Sequence, residues 1–573
     1  MYIPTSQAEL RHRGVTRPDV ILISGDTYID SPCSGIAIIG RVLEAAGFSV
    51  AIIAQPRTDR SDDITLFGEP RLCWGVTAGC VDSSVANYTA LGKPRRSCDF
   101  TPGNRNDRRP HRATIAYTNL IRRYFKSTVP IVLGGIEASL RRIAHYDYIS
   151  GAVRRSVLLD AKADILVYGM GERAILNIVQ RLEQGEPLGV IPGTCTLDSY
   201  PKQEYVDLPP YEEVAKNREA FGQMFSLFSR HNRSHCEPGL NQRHGHRYLL
   251  HHPPAVPLDS TELDHIYELP YMHNVPPAIR QQGEVRALHT IRHSITTHRG
   301  CYGQCSFCAI ALHQGRCVVS RSSRSIVREA QRLTQLEGFR GTLPDLGGPT
   351  ANMYGSGCQQ MQQGDPCAHR YCIGYDGVCP QLKHGHRSQM QLLQALEAVD
   401  GIKSIRIASG IRFDLILADV KNGRAYLEQL VDHHLGGQMK IAPEHSENDV
   451  LQFMNKPRAE VLQKFVRLLR SVRPQAYLSC YVIAAHPGCT KKHMENFARF
   501  ARRELKFVPE QVQVFTPTPS TLSTTMFHSE LDPGSGNTLF CEKGGQGRQA
   551  QREAVAGAPP SGKGARRQRR FRT

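Results

Sequence analysis

One loop constrains this chain more than any other stretch: Thr297-His298-Arg299-Gly300-Cys301-Tyr302-Gly303-Gln304-Cys305-Ser306-Phe307-Cys308. Its three cysteines are spaced C-x3-C-x2-C on a glycine-flanked turn that follows a β-like run over 287–297. Iron–sulfur clusters are held by such thiolates, and most have four of them. Three thiolates on a 4Fe-4S cluster leave one iron without a protein ligand, open to a substrate or cofactor. A zinc site would need a fourth ligand, for which His298 or His313 is the nearest candidate. A disulfide reading leaves one of three close cysteines unpaired.

The chain has 573 residues, enough for two or three folded units with sizeable cores. Hydrophobic content of 40% and charged content of 22% are those of a globular protein. No run of about 18 apolar residues is present to span a bilayer, and residues 1–14 carry no apolar signal core. A cytoplasmic protein without a membrane partner is therefore expected. Its 17 cysteines sit in a large chain without an export signal, so metal or cluster ligation is a better use for the grouped ones than disulfides. The formal charge of +18 arises partly from Lys563, Arg566, Arg567, Arg569, Arg570 and Arg572. This charge permits nucleic-acid binding but does not establish it, because no RNA-recognition module of the aromatic-sheet kind is visible.

From Asp19 onward, apolar runs alternate with a helix pattern: Val20-Ile21-Leu22-Ile23, a glycine-bounded loop from Gly25 to Gly35, a helix over 36–46, then Val50-Ala51-Ile52-Ile53. Further strands are expected at 72–76, 130–133 and 164–167, with a closing helix over 171–182. This is the mark of a doubly wound α/β domain, here 1–194. Residues 195–286 hold many prolines and the histidines His231, His235, His244, His246, His251 and His252 without ligand spacing, and are expected to connect the two units. After 287, strand patterns at 288–297, 340–346, 402–408, 438–442, 477–483 and 511–515 alternate with helix patterns. Six β/α units suit a partial (β/α)6 barrel over 287–533, with its chemistry on loops at the carboxyl ends of the strands.

Those loops carry Asp345-Leu346-Gly347-Gly348-Pro349-Thr350, Ser409 and Arg412, Lys440 and Glu444, and His486 with Gly488. Paired glycines let backbone approach a polar ligand closely. An insertion, 355–387, contains Cys358, Cys367, Cys372 and Cys379, the expected ligands of a second metal centre, either iron–sulfur or zinc. The alternative is four reduced thiols packing a loop. From 534 to 573 the text is Gly, Arg and Gln rich without apolar period, and is expected to be disordered.

These blocks resemble those of YgiQ family radical S-adenosylmethionine (radical SAM) proteins. The resemblance covers roughly 19–533 and rests on the three-cysteine loop, the block from Pro130 to Tyr148, the block from Asp345 to Tyr354, and Lys440-Ile441-Ala442-Pro443-Glu444-His445. It implies a 4Fe-4S cluster on Cys301, Cys305 and Cys308, whose open iron binds S-adenosylmethionine. It further implies reductive cleavage to a 5′-deoxyadenosyl radical that abstracts hydrogen from a substrate, fed by a one-electron reductant of flavodoxin or ferredoxin type. Gly347, Gly348 and Pro349 would seat the cofactor amine, and Ser409, Lys440 and Glu444 would hold other polar parts. The substrate and catalytic residues stay unassigned. The N-terminal topology resembles the cobalamin-binding domains that precede many radical SAM barrels, yet the D-x-H-x-x-G pattern is absent and Pro32 stands at its histidine, so cobalamin is not expected. Two rivals stand beside this reading: modification of RNA in the manner of radical methylthiotransferases, and a zinc-binding interaction protein without enzymatic activity.

Overall fold

The computed structural model describes residues 1–362, 371–509 and 511–556. Strand Val20–Ser24 is buried along its whole length, because it is the second strand of a sheet covered on both faces. The sheet order is Val50–Ala54, Val20–Ser24, Cys73–Thr77, Ile131–Gly134, Ile165–Val167, all parallel. In chain order this is 2-1-3-4-5, a doubly wound arrangement in which the winding reverses between the strands ending at Ser24 and Thr77. Side-chain alternation divides the core. Ile21, Ile23, Trp74, Val76 and Leu133 pack on one face, and Val20, Leu22, Cys73, Val132 and Val167 on the other.

The sheet does not stop where sequence pattern suggests. Thr194–Asp198, Arg247–His251, Leu240–His244 and Val206–Leu208 continue it to nine strands, so 195–286 is part of the domain rather than a connector. Two of the histidines that blurred the pattern, His251 and His252, are core residues with partners. His251 Nε2 accepts from Arg142 Nε at 3.0 Å, and His252 bonds the Tyr205 and Thr196 hydroxyls at 2.7 and 3.0 Å.

The second half is a partial barrel of parallel strands. Ile295–Thr296 pairs with Leu346–Gly347, Thr342–Leu343 with Ser404–Ile405, and Met439–Glu444 with Leu478–Ala484, which pairs with Val512–Val514. A parallel bridge from Ile411 to Ile441 joins the groups. Among the described residues no ladder joins the last strand to the first. Helices such as Ser323–Thr334, capped by the Ser322 hydroxyl, bury Ile326, Ala330 and Leu333 against the strands at helical spacing.

Two strand expectations shrink. Residues 288–297 form a short helix, Leu288–Ile291, before a two-residue strand, because Leu288 and Ile291 pack three apart against the N-terminal core. Residues 340–346 break into two short strands, Thr342–Leu343 and Leu346–Gly347.

The expectation of disorder from 534 is also corrected. Helix Gly545–Ala556 packs on helix Lys491–Phe500 and strand Val512–Val514. It buries Arg548, Gln551 and Val555, a face that no apolar pattern reveals because polar groups satisfy it. Arg548 donates to the Phe515 carbonyl and the Tyr148 hydroxyl. Gln551 donates to Cys489 O at 3.0 Å and accepts from Ala485 N at 2.9 Å. Residues 557–573, including the basic cluster, lie outside the described residues.

Arg548→Ala should lower unfolding free energy by about 2–4 kcal/mol, since it strips partners from a buried carbonyl and hydroxyl; urea denaturation checks this. Acid should also destabilise the fold. Burial above all holds His244, His252 and His528 down at about 4, so they are neutral in the folded chain. Unfolded, they titrate near about 6.5. Between those values the unfolded chain binds more protons, so stability rises with pH across the window and is lost as pH falls. Urea midpoints measured downward from neutral pH should therefore decline across that window.

Candidate cluster loop and interdomain cavity

Gly300 opens the cysteine loop at φ +80°, and a Cβ there would lie 2.0 Å from Cys317 O, so only glycine lets the loop turn this close to its neighbour. Past it, the barrel grips the loop through its backbone. Ser306 N donates to Met454 O at 3.0 Å, Asn455 Nδ2 to Gln304 O at 3.0 Å, and Ser523 N to Ser306 O at 3.0 Å. Cys301 Sγ lies 3.4 Å from Gly303 N and 3.4 Å from Thr350 Oγ1. Arg412 Nη1 reaches Cys305 Sγ at 3.8 Å while its guanidinium pairs with Asp414.

The three thiols share one electrostatic environment. Burial first, then the charges of Cys305 and Cys301, push Cys308 up to about 12, and burial raises Cys301 as well. Ligating metal would therefore release protons from them. Among the described residues no three His, Cys, Asp or Glu groups converge on a single ion position. A cubane places each thiolate on a separate iron and does not need such convergence, whereas a tetrahedral zinc does.

Thr350 ties the cysteine loop to the glycine motif. A Cβ on Gly348 would meet His298 Nε2 at 2.6 Å and His298 O at 2.7 Å. Asp345, before the glycines, accepts from Ala408 N at 2.8 Å and Ser409 N at 3.1 Å, and from the Ser409 hydroxyl. One carboxylate thus joins two strand ends.

Here the halves of the molecule enclose a cavity of about 730 Å3. Its sheet side is made by loops at the carboxyl ends of the parallel strands, with Asp26, Cys33, Cys80, Gly135 and Glu172. This is the switch-point position where doubly wound sheets bind ligands. Its barrel side carries Gly347, Gly348, Pro349, Ser409 and Lys440. Five of the six residues expected to hold cofactor therefore share one wall. The sixth, Glu444, does not line it: the carboxylate is buried, 3.8 Å from Lys456 Nζ, and raised in pKa by that burial. Sequence reasoning missed Arg299, which spans the halves by pairing with Glu172, and offered His313 only as a zinc ligand, whereas its Nδ1 lies 3.0 Å from Ser139 Oγ. Arg299 was in plain view beside the first cysteine, but its partner is 127 residues away.

In the insertion, Cys358 and Cys372 are buried in one small apolar cluster with Tyr302, and Cys379 packs against it. Cys379 N donates to Cys372 O at 2.8 Å. Cys317, which sequence spacing did not group with them, also faces Tyr302. Cys367 lies outside the described residues.

A three-cysteine loop at the mouth of a partial barrel, following a doubly wound sheet, defines the class of radical SAM proteins, and the comparisons agree. The radical SAM N-terminal family matches residues 2–294. A UPF0313 protein of Fusobacterium nucleatum is 46% identical over 97% of this chain and 98% of its own length. One from Thermotoga neapolitana is 42% identical over 97% and 98%. The chain belongs to the UPF0313 family, within which the YgiQ resemblance falls.

Among solved structures it is similar in fold to the radical S-adenosylmethionine methyltransferase TsrM of Kitasatospora setae with cobalamin and a [4Fe-4S] cluster bound. The TM-score is 0.51 at 14% identity, covering 93% of this chain and 90% of that one. This overturns the expectation against cobalamin. That expectation weighed a single loop histidine, whereas the shared architecture leaves a chamber between sheet and barrel. No helix among the described residues is long and apolar enough to cross a membrane.

Gly348→Ala should cost about 1–3 kcal/mol of stability through overpacking against His298. Gly410→Ala, with nothing within 4 Å of the added carbon, is the matched control in urea denaturation.

Proposed function

We propose that this chain is an enzyme that cleaves S-adenosylmethionine reductively on a 4Fe-4S cluster held by Cys301, Cys305 and Cys308, and that its interdomain cavity takes a corrinoid. The reading is carried by one observation: the cysteine loop meets the Gly347–Gly348 turn at Thr350, and that turn forms a wall of the cavity. The residues fit the groups. One buried and two half-buried thiols in mutual electrostatic reach suit a cluster one protein ligand short, and a cavity of about 730 Å3 is within the usual range for cofactor sites. When bound, these cofactors supply the electron transfer and radical chemistry that side chains cannot.

The chain's own residues bind and orient. Backbone at Gly347 and Gly348 comes close enough to accept from an amine, and Lys440 offers an ammonium to a carboxylate across the same wall. Ser409 is held by Asp345 and presents a fixed hydroxyl. Arg412 donates toward Cys305 Sγ, and Asp414 stops the guanidinium from swinging away. Apolar side chains on the sheet side, Val76 near a strand end and Ile39 on helix Gly35–Ala45 among them, keep water from the chamber.

Cys305→Ala, reconstituted anaerobically with iron and sulfide and supplied with dithionite, should form no 5′-deoxyadenosine, while the native sequence does so. Chromatography of the quenched reaction reads the product. Unchanged cleavage by the variant, or anaerobic protein that holds zinc without iron and sulfide, would sink the assignment.

A further inference from the structure

Arg412 directly precedes helix Phe413–Ala418, and its guanidinium is divided between two neighbours. Nε and Nη2 donate to Asp414 at 2.9 and 2.5 Å, while Nη1 donates toward Cys305 Sγ at 3.8 Å. The positive group therefore lies between the carboxylate and the sulfur. Both side chains are sealed from solvent, at 8% and 5% exposure, so water and salt screen the arrangement little. The cysteine loop is shaped to admit it. A Cβ on Gly303 would lie 2.5 Å from Arg412 Nη1 and 3.5 Å from Cys301 Sγ, so a larger residue would push the guanidinium off the loop.

The backbone of Arg412 is fixed from behind. Asn352 Oδ1 accepts from Arg412 N at 2.8 Å, and Asn352 Nδ2 donates to Arg412 O at 3.0 Å. The same Nδ2 lies 3.2 Å from His386 Nε2, and His386 Nδ1 lies 2.9 Å from Asp419 Oδ2. With the amide donating to Nε2, the ring proton sits on Nδ1 and goes to Asp419. The His386 ring is stacked on Tyr426 with centroids 4.2 Å apart, which fixes its plane. This line of contacts aims the guanidinium at the sulfur. Neither Arg412 nor Asp414 lines the large cavity, so contact with a ligand there does not account for the pair.

We infer that Arg412 and Asp414 are positioning residues that set the reduction potential of the cluster proposed on Cys301, Cys305 and Cys308, the guanidinium making it easier to reduce and the carboxylate limiting that effect. This rests on the cluster reading. Reduction adds one electron from an external one-electron donor, makes and breaks no bond, and leaves the cluster with its thiolates one charge more negative. Net charge and hydrogen bonds to the sulfurs are among the levers that set such potentials. A cation held at the sulfur stabilises the reduced state more than the oxidised one, and an anion does the reverse. Asp414 sits on the far edge of the guanidinium, so the cation is the nearer charge. A brace that only packed the loop would leave the potential where it was.

The test takes the full chain, as wild type, Arg412→Met and Asp414→Asn, reconstituted anaerobically with iron and sulfide. Each is titrated with dithionite in the presence of redox mediators and without S-adenosylmethionine, and electron paramagnetic resonance reads the reduced cluster at each potential. At the wild-type midpoint, the ratio of reduced to oxidised cluster should be about three- to tenfold lower in Arg412→Met and higher in Asp414→Asn, a tenfold change being about 59 mV for one electron. Opposite signs from two residues in contact are the signature of charge and not of packing. If Arg412→Met holds no cluster, Arg412→Lys replaces it and should lower the ratio by a smaller factor, because the charge stays and the fork is lost. Equal potentials, or shifts of one sign, overturn the inference and leave the cluster reading standing. Wild-type protein that assembles no cluster overturns both.

Discussion

The cysteine loop owes its position to backbone bonds and not to its sulfurs. Carbonyl and amide groups of Gln304 and Ser306 are taken up by Asn455, Met454 and Ser523, which come from two distant parts of the barrel half. These bonds exist only when the barrel strands and their following helices are in place. The thiols are thus brought into one environment by the fold, before any metal imposes its own geometry. A site assembled in this way pays its ordering entropy at folding and not at cofactor binding, which is the usual advantage of preorganisation.

The same logic runs through the cavity. The sheet supplies strand ends and tight turns, the barrel supplies the glycine turn and two polar side chains, and Arg299 with Glu172 pins one to the other. Neither half encloses the chamber alone. Asp345 adds a bond between barrel strand ends, so that Ser409 and the glycines move as one unit.

Much of this was legible in the sequence, for physical reasons. The proposed cluster ligands are close in sequence, so C-x3-C-x2-C announces itself. Parallel strands buried on both faces read as short apolar runs, which is why Val20–Ser24 and Ile131–Gly134 stood out. What stayed hidden depends on contacts across long separations. The extra strands of 195–286 lie beneath polar histidines that find partners only in the folded sheet. Helix Gly545–Ala556 buries an arginine and a glutamine against carbonyls, and composition counts both as surface. Glu444 looked like a site residue from its strand end, but its positive φ and the nearby Lys456 keep it off the cavity wall. Cobalamin was set aside because of one missing histidine, a judgement about a loop where the relevant quantity was the space between domains.

Arg548 touches Tyr148 on one side and the carbonyl of Phe515 on the other, so a single side chain fastens the early half of the polypeptide to the late half. Synthesis runs from the amino end, and domains fold as units while the ribosome is still working. The sheet and most of the barrel are therefore complete while their latch is still inside the exit tunnel. For that interval the seam between them is held by earlier contacts such as Arg299 with Glu172, and the last stretch to emerge adds its grip only afterwards.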